Sequence, residues 1–457
     1  MTLSITSLLW SASLTWEGHC KLCTLLRHQH SSYFFPRWGT RYDHGNEEVH
    51  QGLLAFAVHK LLGHLEKGKG LTEAHVYTVL SQCLALDIDT PQYLLNSASP
   101  FALMETMHDQ IANHMRVCVA VGSGIESLRG VASSEPILSE AACRIMNNPA
   151  LDFSLPIALS KVLSGFCINQ GARGELLVAA FFTWARDNVV LTGPETSPPA
   201  LCHHFTVCDL FKSLFDGPSL ESILKSKPSL YPQNDTPRTF EQVFANARMH
   251  FNHFIKPHEQ RVISRQYLVR FLARGAAALG ANCQPGFDAV YPFLYEALEL
   301  DPEKLGFIIV QVKNDSNENR ATGDDVFRKM DPFECGLLDK SKKDTLTVPI
   351  IRIVFWLPGT KHSVTSQVYS SPSNGAAILD DCQQPLITSY DYVCSGVSPD
   401  VLRPVKQHPE MWTAMLNKRS DWLDFVDASE EKGILCSELP MGGSDDAHFS
   451  RWWDDKS

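Results

Sequence analysis

One apolar segment that ends in an amide and an ammonium restricts the fold of this chain more than any other stretch. Residues 306–313 read Gly-Phe-Ile-Ile-Val-Gln-Val-Lys. The four positions after the glycine form an unbroken apolar run, which is typical of a strand buried inside a sheet. Because side chains alternate between the two faces of a strand, Gln311 and Lys313 are predicted to share one face, opposite Val312.

The order of the remaining segments predicts an α/β fold. Helical patterns are found over 47–163, where nothing alternates like a strand, at 175–186, near 209–215, at about 259–279 and near Val326. Strands are predicted at 287–293, 306–313, 348–357 and 387–393. The second half of the chain therefore runs helix, strand, strand, helix, strand.

The lysine at the end of the buried strand needs a partner or solvent, because an unpaired buried charge is costly. Asp288, two residues after Gly286 on the preceding strand, is the natural partner. Carboxylate, amide and ammonium groups on one sheet face could hold a divalent cation through oxygens and position water and a phosphate. In the alternative interpretation, Lys313 and Asn314 merely begin an exposed loop and Asp288 caps a turn.

Two short motifs resemble a known nuclease superfamily. Pro-Gly-Phe-Asp at 285–288, followed by Gln-Val-Lys at 311–313, resembles the PD-(D/E)XK superfamily, in particular its restriction-endonuclease-like, Mrr-related branch with Gln-x-Lys. The predicted order of elements is also similar to that superfamily's αβββαβ core. Through Arg-Gly-Glu-Leu at 173–176 and Gln-Val-Lys-Asn at 311–314, the chain is similar to uncharacterised fungal proteins, some of them linked to Crinkler-type effectors.

The resemblance implies a role for each matching residue. Asp288 would bind Mg²⁺ or Mn²⁺, and Gln311 would replace the second acidic ligand. Lys313 would stabilise the attacking hydroxide or the developing phosphorane charge. A neutral glutamine ligand leaves less negative charge and therefore a weaker metal site. A glutamate on the first core helix is also expected, and Glu175 is favoured over Glu259. Glu175 is predicted to lie in the first turn of its helix, where any helix favours acids.

The resemblance covers about residues 130–420 and suggests three parts. They are a helical region of unknown role at 1–130, a restriction-endonuclease-like domain at 131–420 with a helical insertion at about 188–256, and an acidic, tryptophan-containing tail at 421–457. The implied function is metal-dependent hydrolysis of phosphodiester bonds in DNA, which is favoured over RNA as the partner. The alternative is a catalytically inactive protein of the same fold that binds nucleic acid or another protein.

The net charge does not exclude a nucleic-acid partner. Of the total of −11, the tail at 421–457 accounts for −7, and the segment 256–274, predicted to be helical, is locally +4. The 13 cysteines are spread along the chain, and neither a signal peptide nor a membrane-spanning run is evident in the sequence. An intracellular protein of the cytoplasm or nucleus is therefore expected.

Overall fold

In the computed structural model the chain is a mixed α/β protein. The structure describes residues 44–63, 65, 70–84, 86, 88–89, 108–121, 128–132, 136–165, 170–192, 204–232, 236–257, 263–281, 286–297, 300–314, 324–338, 348–369 and 387–417.

The α-helices with defined ends are α1 (His44–Leu62), α2 (Glu73–Leu84), α3 (Pro136–Met146), α4 (Leu155–Gly165), α5 (Gln170–Thr192), α6 (Val207–Leu214), α7 (Gly217–Lys225), α8 (Phe240–Phe244), α9 (Arg265–Arg274), α10 (Asp324–Lys329) and α11 (Pro409–Asn417). Residues 108–113 are also helical. Short 3₁₀ turns lie at Pro149–Leu151, Pro302–Lys304 and Arg403–Lys406.

The strands are β1 (Ile88–Asp89), β2 (Arg116–Val121), β3 (Leu128–Ala132), β4 (Phe205–Thr206), β5 (Arg248–Met249), β6 (His253–Ile255), β7 (Ala276–Leu279), β8 (Ala289–Leu294), β9 (Leu305–Lys313), β10 (Ile350–Trp356), β11 (Ser363–Ser366) and β12 (Ser389–Ser395). The first three form a small antiparallel sheet in the order β1-β3-β2.

The larger sheet has the order β11-β12-β10-β9-β8-β5-β4, and β7 also pairs with β8 while β6 pairs with β7. Strands β7, β8 and β9 are successively antiparallel, whereas β10 is parallel to β9 and β12 is parallel to β10. The carboxyl ends of β9, β10 and β12 therefore lie at the same edge of the sheet.

Helices cover both faces of this sheet. On one face Phe182 of α5 stacks on Tyr291 of β8, with ring centroids 4.3 Å apart. On the opposite face Arg352 of β10 donates to the carbonyl oxygen of Phe327 in α10 at 2.9 Å. Arg352 is fully buried and forms a bidentate ion pair with Asp391 of β12. Its Nε and Nη2 atoms donate to the two carboxylate oxygens of Asp391, each at 2.7 Å. This bidentate pair fixes β10 and β12 relative to each other.

Most of the elements predicted after residue 163 are confirmed. Strands occur at all four predicted places, and so do the helices now numbered α5, α6 and α10. None of the helices in the described residues is long and apolar enough to span a bilayer.

The prediction of an entirely helical segment from 47 to 163 was wrong. Helices α1, α2, α3 and α4 do form, but Arg116–Val121 and Leu128–Ala132 are paired strands between them. Every second residue of Arg116–Val121 is a valine. Branching at Cβ favours extended backbone over helix, and this short alternation was the signal for a strand.

The prediction of one long helix from 259 to 279 was also wrong. Within the described residues the helix α9 ends at Arg274, because Gly275 takes a left-handed conformation (φ 65°) and its N–H closes back onto the last turn. The alanines that follow form β7, which pairs with both β6 and β8. Pairing with two strands here overrides the high helix propensity of alanine.

Candidate active site

Asp288 and Gln311 face each other across two neighbouring strands. Strands β8 and β9 are antiparallel, and Ala289 pairs with Val310. This register places Asp288, the residue before Ala289, opposite Gln311. The Asp288 Oδ2 atom accepts a hydrogen bond of 2.5 Å from the Gln311 Nε2 atom. It also accepts one of 2.5 Å from the Val312 N–H. The carboxylate and the amide therefore meet on one sheet face, as the sequence predicted.

Two glycines make the turn that delivers Asp288 to this position. Gly286 has a φ of 100°, which other residues rarely adopt, and a Cβ there would run into the carbonyl oxygen of Lys329, the last residue of α10. Gly280 donates its N–H to the Asp288 carbonyl oxygen at 2.7 Å, and a Cβ at Gly280 would lie 2.7 Å from the Phe287 carbonyl oxygen. The backbone around Asp288 is therefore closely packed on both sides.

Helix α5 brings Glu175 to the same region. The preceding residue, Gly174, lies so close to the end of β9 that a Cβ there would be 3.2 Å from the Val312 Cγ1 atom and 3.0 Å from the Leu357 Cδ1 atom. Because α5 begins at Gln170, Glu175 lies in its second turn. The prediction that Glu175 occupies the first turn was wrong, so the general preference for acids there does not account for it.

Both carboxylates of the site have raised pKa values. Burial, followed by the negative charge of Glu175, raises the pKa of Asp288 from its ordinary 3.8 to about 7. The Val312 N–H, Lys313 and Gln311 oppose this shift only in part. Burial also raises the pKa of Glu175, against the lowering effects of Lys256 and Lys313. Two partly buried carboxylates with raised pKa values are typical of functional sites, including cation sites.

Lys313 ends strand β9 and lies partly exposed at the rim of the site. Its charge acts on both Glu175 and Asp288, and its backbone carbonyl oxygen accepts from the Leu357 N–H at 2.9 Å. The Lys313 charge is therefore close enough to act on both carboxylates. The structure thus brings together Glu175, Asp288, Gln311 and Lys313, all four residues that the sequence proposed.

The positive segment predicted as one helix is divided in the structure. Lys256 lies directly after β6, and its charge acts on Glu175. Arg265 of α9 instead donates to the Pro302 carbonyl oxygen at 2.8 Å, and Arg270 lies over the Tyr267 ring. The prediction of a single positive helix leading into the site was therefore wrong. Glu259 and the acidic tail at 421–457 lie outside the described residues.

The donor atoms of the site suit a hard divalent cation. Glu175 and Asp288 offer carboxylate oxygens, and the Gln311 amide offers one more oxygen once its nitrogen and oxygen exchange places. No group of three or more His, Cys, Asp or Glu side chains able to hold a metal ion occurs in the described residues. The third oxygen donor has to come from the glutamine. A bound cation would offset the unfavourable effect of the Glu175 charge on Asp288.

Comparison with known proteins identifies no relative. No family model matches the chain, and neither the curated proteins nor the solved structures contain a match. The function must therefore be argued from the geometry of the site itself.

Proposed function

We propose that this chain is a metal-dependent nuclease with a restriction-endonuclease-like fold that hydrolyses phosphodiester bonds in DNA. The fold proposal is supported by strand directions: β7, β8 and β9 are antiparallel in sequence, α10 follows, and β10 returns parallel to β9. Together with a helix on the other face, these directions support the proposal of an αβββαβ core, which the resemblance implies.

The observation that carries the proposal is the convergence of two carboxylates, an amide and a lysine at one edge of the sheet. Glu175 comes from α5, Asp288 from the turn before β8, and Gln311 and Lys313 from β9. The first and last of these residues are 138 positions apart in the sequence. Placing charged groups together in a partly buried site costs free energy. Such arrangements therefore occur mostly at binding or catalytic sites.

Each side chain has a definite task in this proposal. Glu175, Asp288 and Gln311 would hold Mg²⁺ or Mn²⁺, and the cation would supply Lewis-acid polarisation of the phosphate and a more acidic bound water. Lys313 would donate hydrogen bonds to a non-bridging phosphate oxygen, and its charge would stabilise the negative charge that develops there. The Val312 N–H would keep Asp288 oriented throughout.

The test is a cleavage assay on single- and double-stranded DNA and RNA with Mg²⁺, with Mn²⁺ and with chelator. We expect metal-dependent cleavage of DNA that falls at least about 10²-fold in Asp288→Ala and in Lys313→Ala. Lys304→Ala is the matched control, because this exposed lysine precedes the other end of β9, roughly 30 Å away. Equal cleavage by the wild type, Asp288→Ala and Lys313→Ala would refute the assignment.

A second candidate function is a non-catalytic module of the same fold that binds nucleic acid or protein. It is favoured by one observation: the Asp288 Oδ2 atom already receives two hydrogen bonds, from Gln311 and from the Val312 N–H. These contacts satisfy this oxygen without a cation. The cleavage assay separates the two candidates, since a module of this kind gives no cleavage under any metal condition and binds equally well with chelator.

A further inference from the structure

A second lysine, Lys256, lies at the same edge of the sheet as the candidate active site. Strand β6 pairs in parallel with β7 up to Ile255↔Ala278, and β7 pairs with β8 at Leu279↔Ala289. Lys256 follows Ile255, and Asp288 precedes Ala289. The two residues are therefore separated by two strand spacings, or roughly 10 Å at the backbone.

The surroundings of Lys256 differ from those of an ordinary surface lysine. It is exposed, and it exerts the largest favourable charge effect on Glu175, ahead of Lys313. Among the described residues, no carboxylate oxygen lies within 4.0 Å of the Lys256 Nζ atom. Its ammonium is thus close enough to influence the site while its hydrogen-bond donors remain available to a ligand.

The two lysines lie on opposite sides of Asp288 along the sheet edge. Along the sheet edge the order is Lys256 after β6, Asp288 before β8, and Lys313 at the end of β9. If the scissile phosphate binds at Asp288 and Lys313, Lys256 lies beyond it along the same edge of the sheet. A lysine acts as a flexible point charge, so its four-carbon stem can cover the remaining distance to a neighbouring phosphate.

We propose that Lys256 binds the phosphate next to the scissile one on the same nucleic-acid strand, and so sets the position of the strand on the active site. This role rests on the proposed nuclease function. It assigns to Lys256 binding and register of the substrate, and no part in bond cleavage. The substrate class that fits is a polynucleotide with at least one phosphate beyond the cleaved bond, not a phosphomonoester or a dinucleoside phosphate.

The first test measures DNA binding by fluorescence anisotropy at several salt concentrations, with Ca²⁺ in place of Mg²⁺. We expect Lys256→Ala to weaken binding roughly tenfold and to reduce the slope of log affinity against log salt by about one. Lys256→Arg should retain most of the affinity, and Lys304→Ala should leave it unchanged. Circular dichroism and thermal melting of each variant identify any loss of affinity that comes from misfolding.

The second test replaces one phosphate of the oligonucleotide at a time with an uncharged methylphosphonate. With the wild type, replacement of one phosphate next to the scissile bond should lower the affinity for the oligonucleotide about as much as Lys256→Ala does. In Lys256→Ala the same replacement should have no further effect. Additive losses at that position, or unchanged binding by Lys256→Ala, would overturn the role of Lys256 even if the wild type cleaves DNA. If the wild type neither binds nor cleaves DNA, both proposals are refuted.

Discussion

The raised pKa of Asp288 predicts that this carboxylate weakens the fold in the absence of a cation. In the folded protein its pKa is about 7, whereas an unfolded chain has the ordinary value near 3.8. Between these two pH values the folded state binds one more proton than the unfolded state, so stability falls as the pH rises. Above pH 7 the folded protein carries the full cost of an ionised Asp288.

The size of this cost follows from the shift. A difference of about three pKa units corresponds to roughly 4 kcal/mol at 1.36 kcal/mol per unit. Part of the Asp288 surface remains exposed to solvent. Solvent screening therefore reduces the expected effect on stability to about 2 kcal/mol. Asp288→Asn keeps the shape and can still accept from the Val312 N–H, but it carries no charge. The variant should therefore be more stable than the wild type by about 2 kcal/mol at pH 8.

The assay is urea unfolding with chelator between pH 4 and pH 8. The gain in stability of Asp288→Asn should be small at pH 4, should grow up to about pH 7 and should then stay constant. The matched control is Asp400→Asn, which removes the charge of an exposed carboxylate and should change stability at pH 8 only slightly. A gain that is the same at pH 4 and pH 8, or no gain at pH 8, would contradict the electrostatic account of the site.

Two further substitutions test the framework that holds the site. Gly286→Ala forces a side chain into a positive φ and against the Lys329 carbonyl oxygen, so it should destabilise the fold by about 1–3 kcal/mol and lower cleavage. Gly52→Ala in α1, where a Cβ meets nothing within 4 Å, should be neutral or slightly stabilising in the same urea assay. Arg352→Met leaves Asp391 buried without its cation and should cost about 3–5 kcal/mol, whereas the double variant Arg352→Met/Asp391→Leu should recover most of that loss. Equal stability of the two glycine variants, or a double variant no better than Arg352→Met, would count against this view.

The strands that build the site could be predicted from the sequence because their signal is local. Strands β9 and β10 are mainly apolar runs between polar stretches of the sequence, and they are buried along nearly their whole length. The spacing of Asp288, Gln311 and Lys313 places three polar groups at strand ends, which a buried sheet does not otherwise tolerate. Their meeting on one face followed from the two-residue period of a strand.

Other features depend on contacts that are distant in the sequence. Glu175 reaches the site because Gly174 lets α5 approach the end of β9, and no local pattern specifies that approach. Lys256 reaches it only through the pairing of β6 with β7. The local pattern at Ala276–Leu279 even favoured a helix, and the pairing of β7 with two strands decided otherwise.

The most direct test of the account is a titration with Mn²⁺ followed by electron paramagnetic resonance. We expect one Mn²⁺ site in the wild type, weakened at least about tenfold in Asp288→Asn and in Glu175→Gln. Gln311→Glu should bind Mn²⁺ more tightly, because that change supplies a third carboxylate, and Asp400→Asn should bind it as the wild type does. Mn²⁺ binding that is equally strong in the wild type, Asp288→Asn and Glu175→Gln would contradict the claim that these side chains form a cation site.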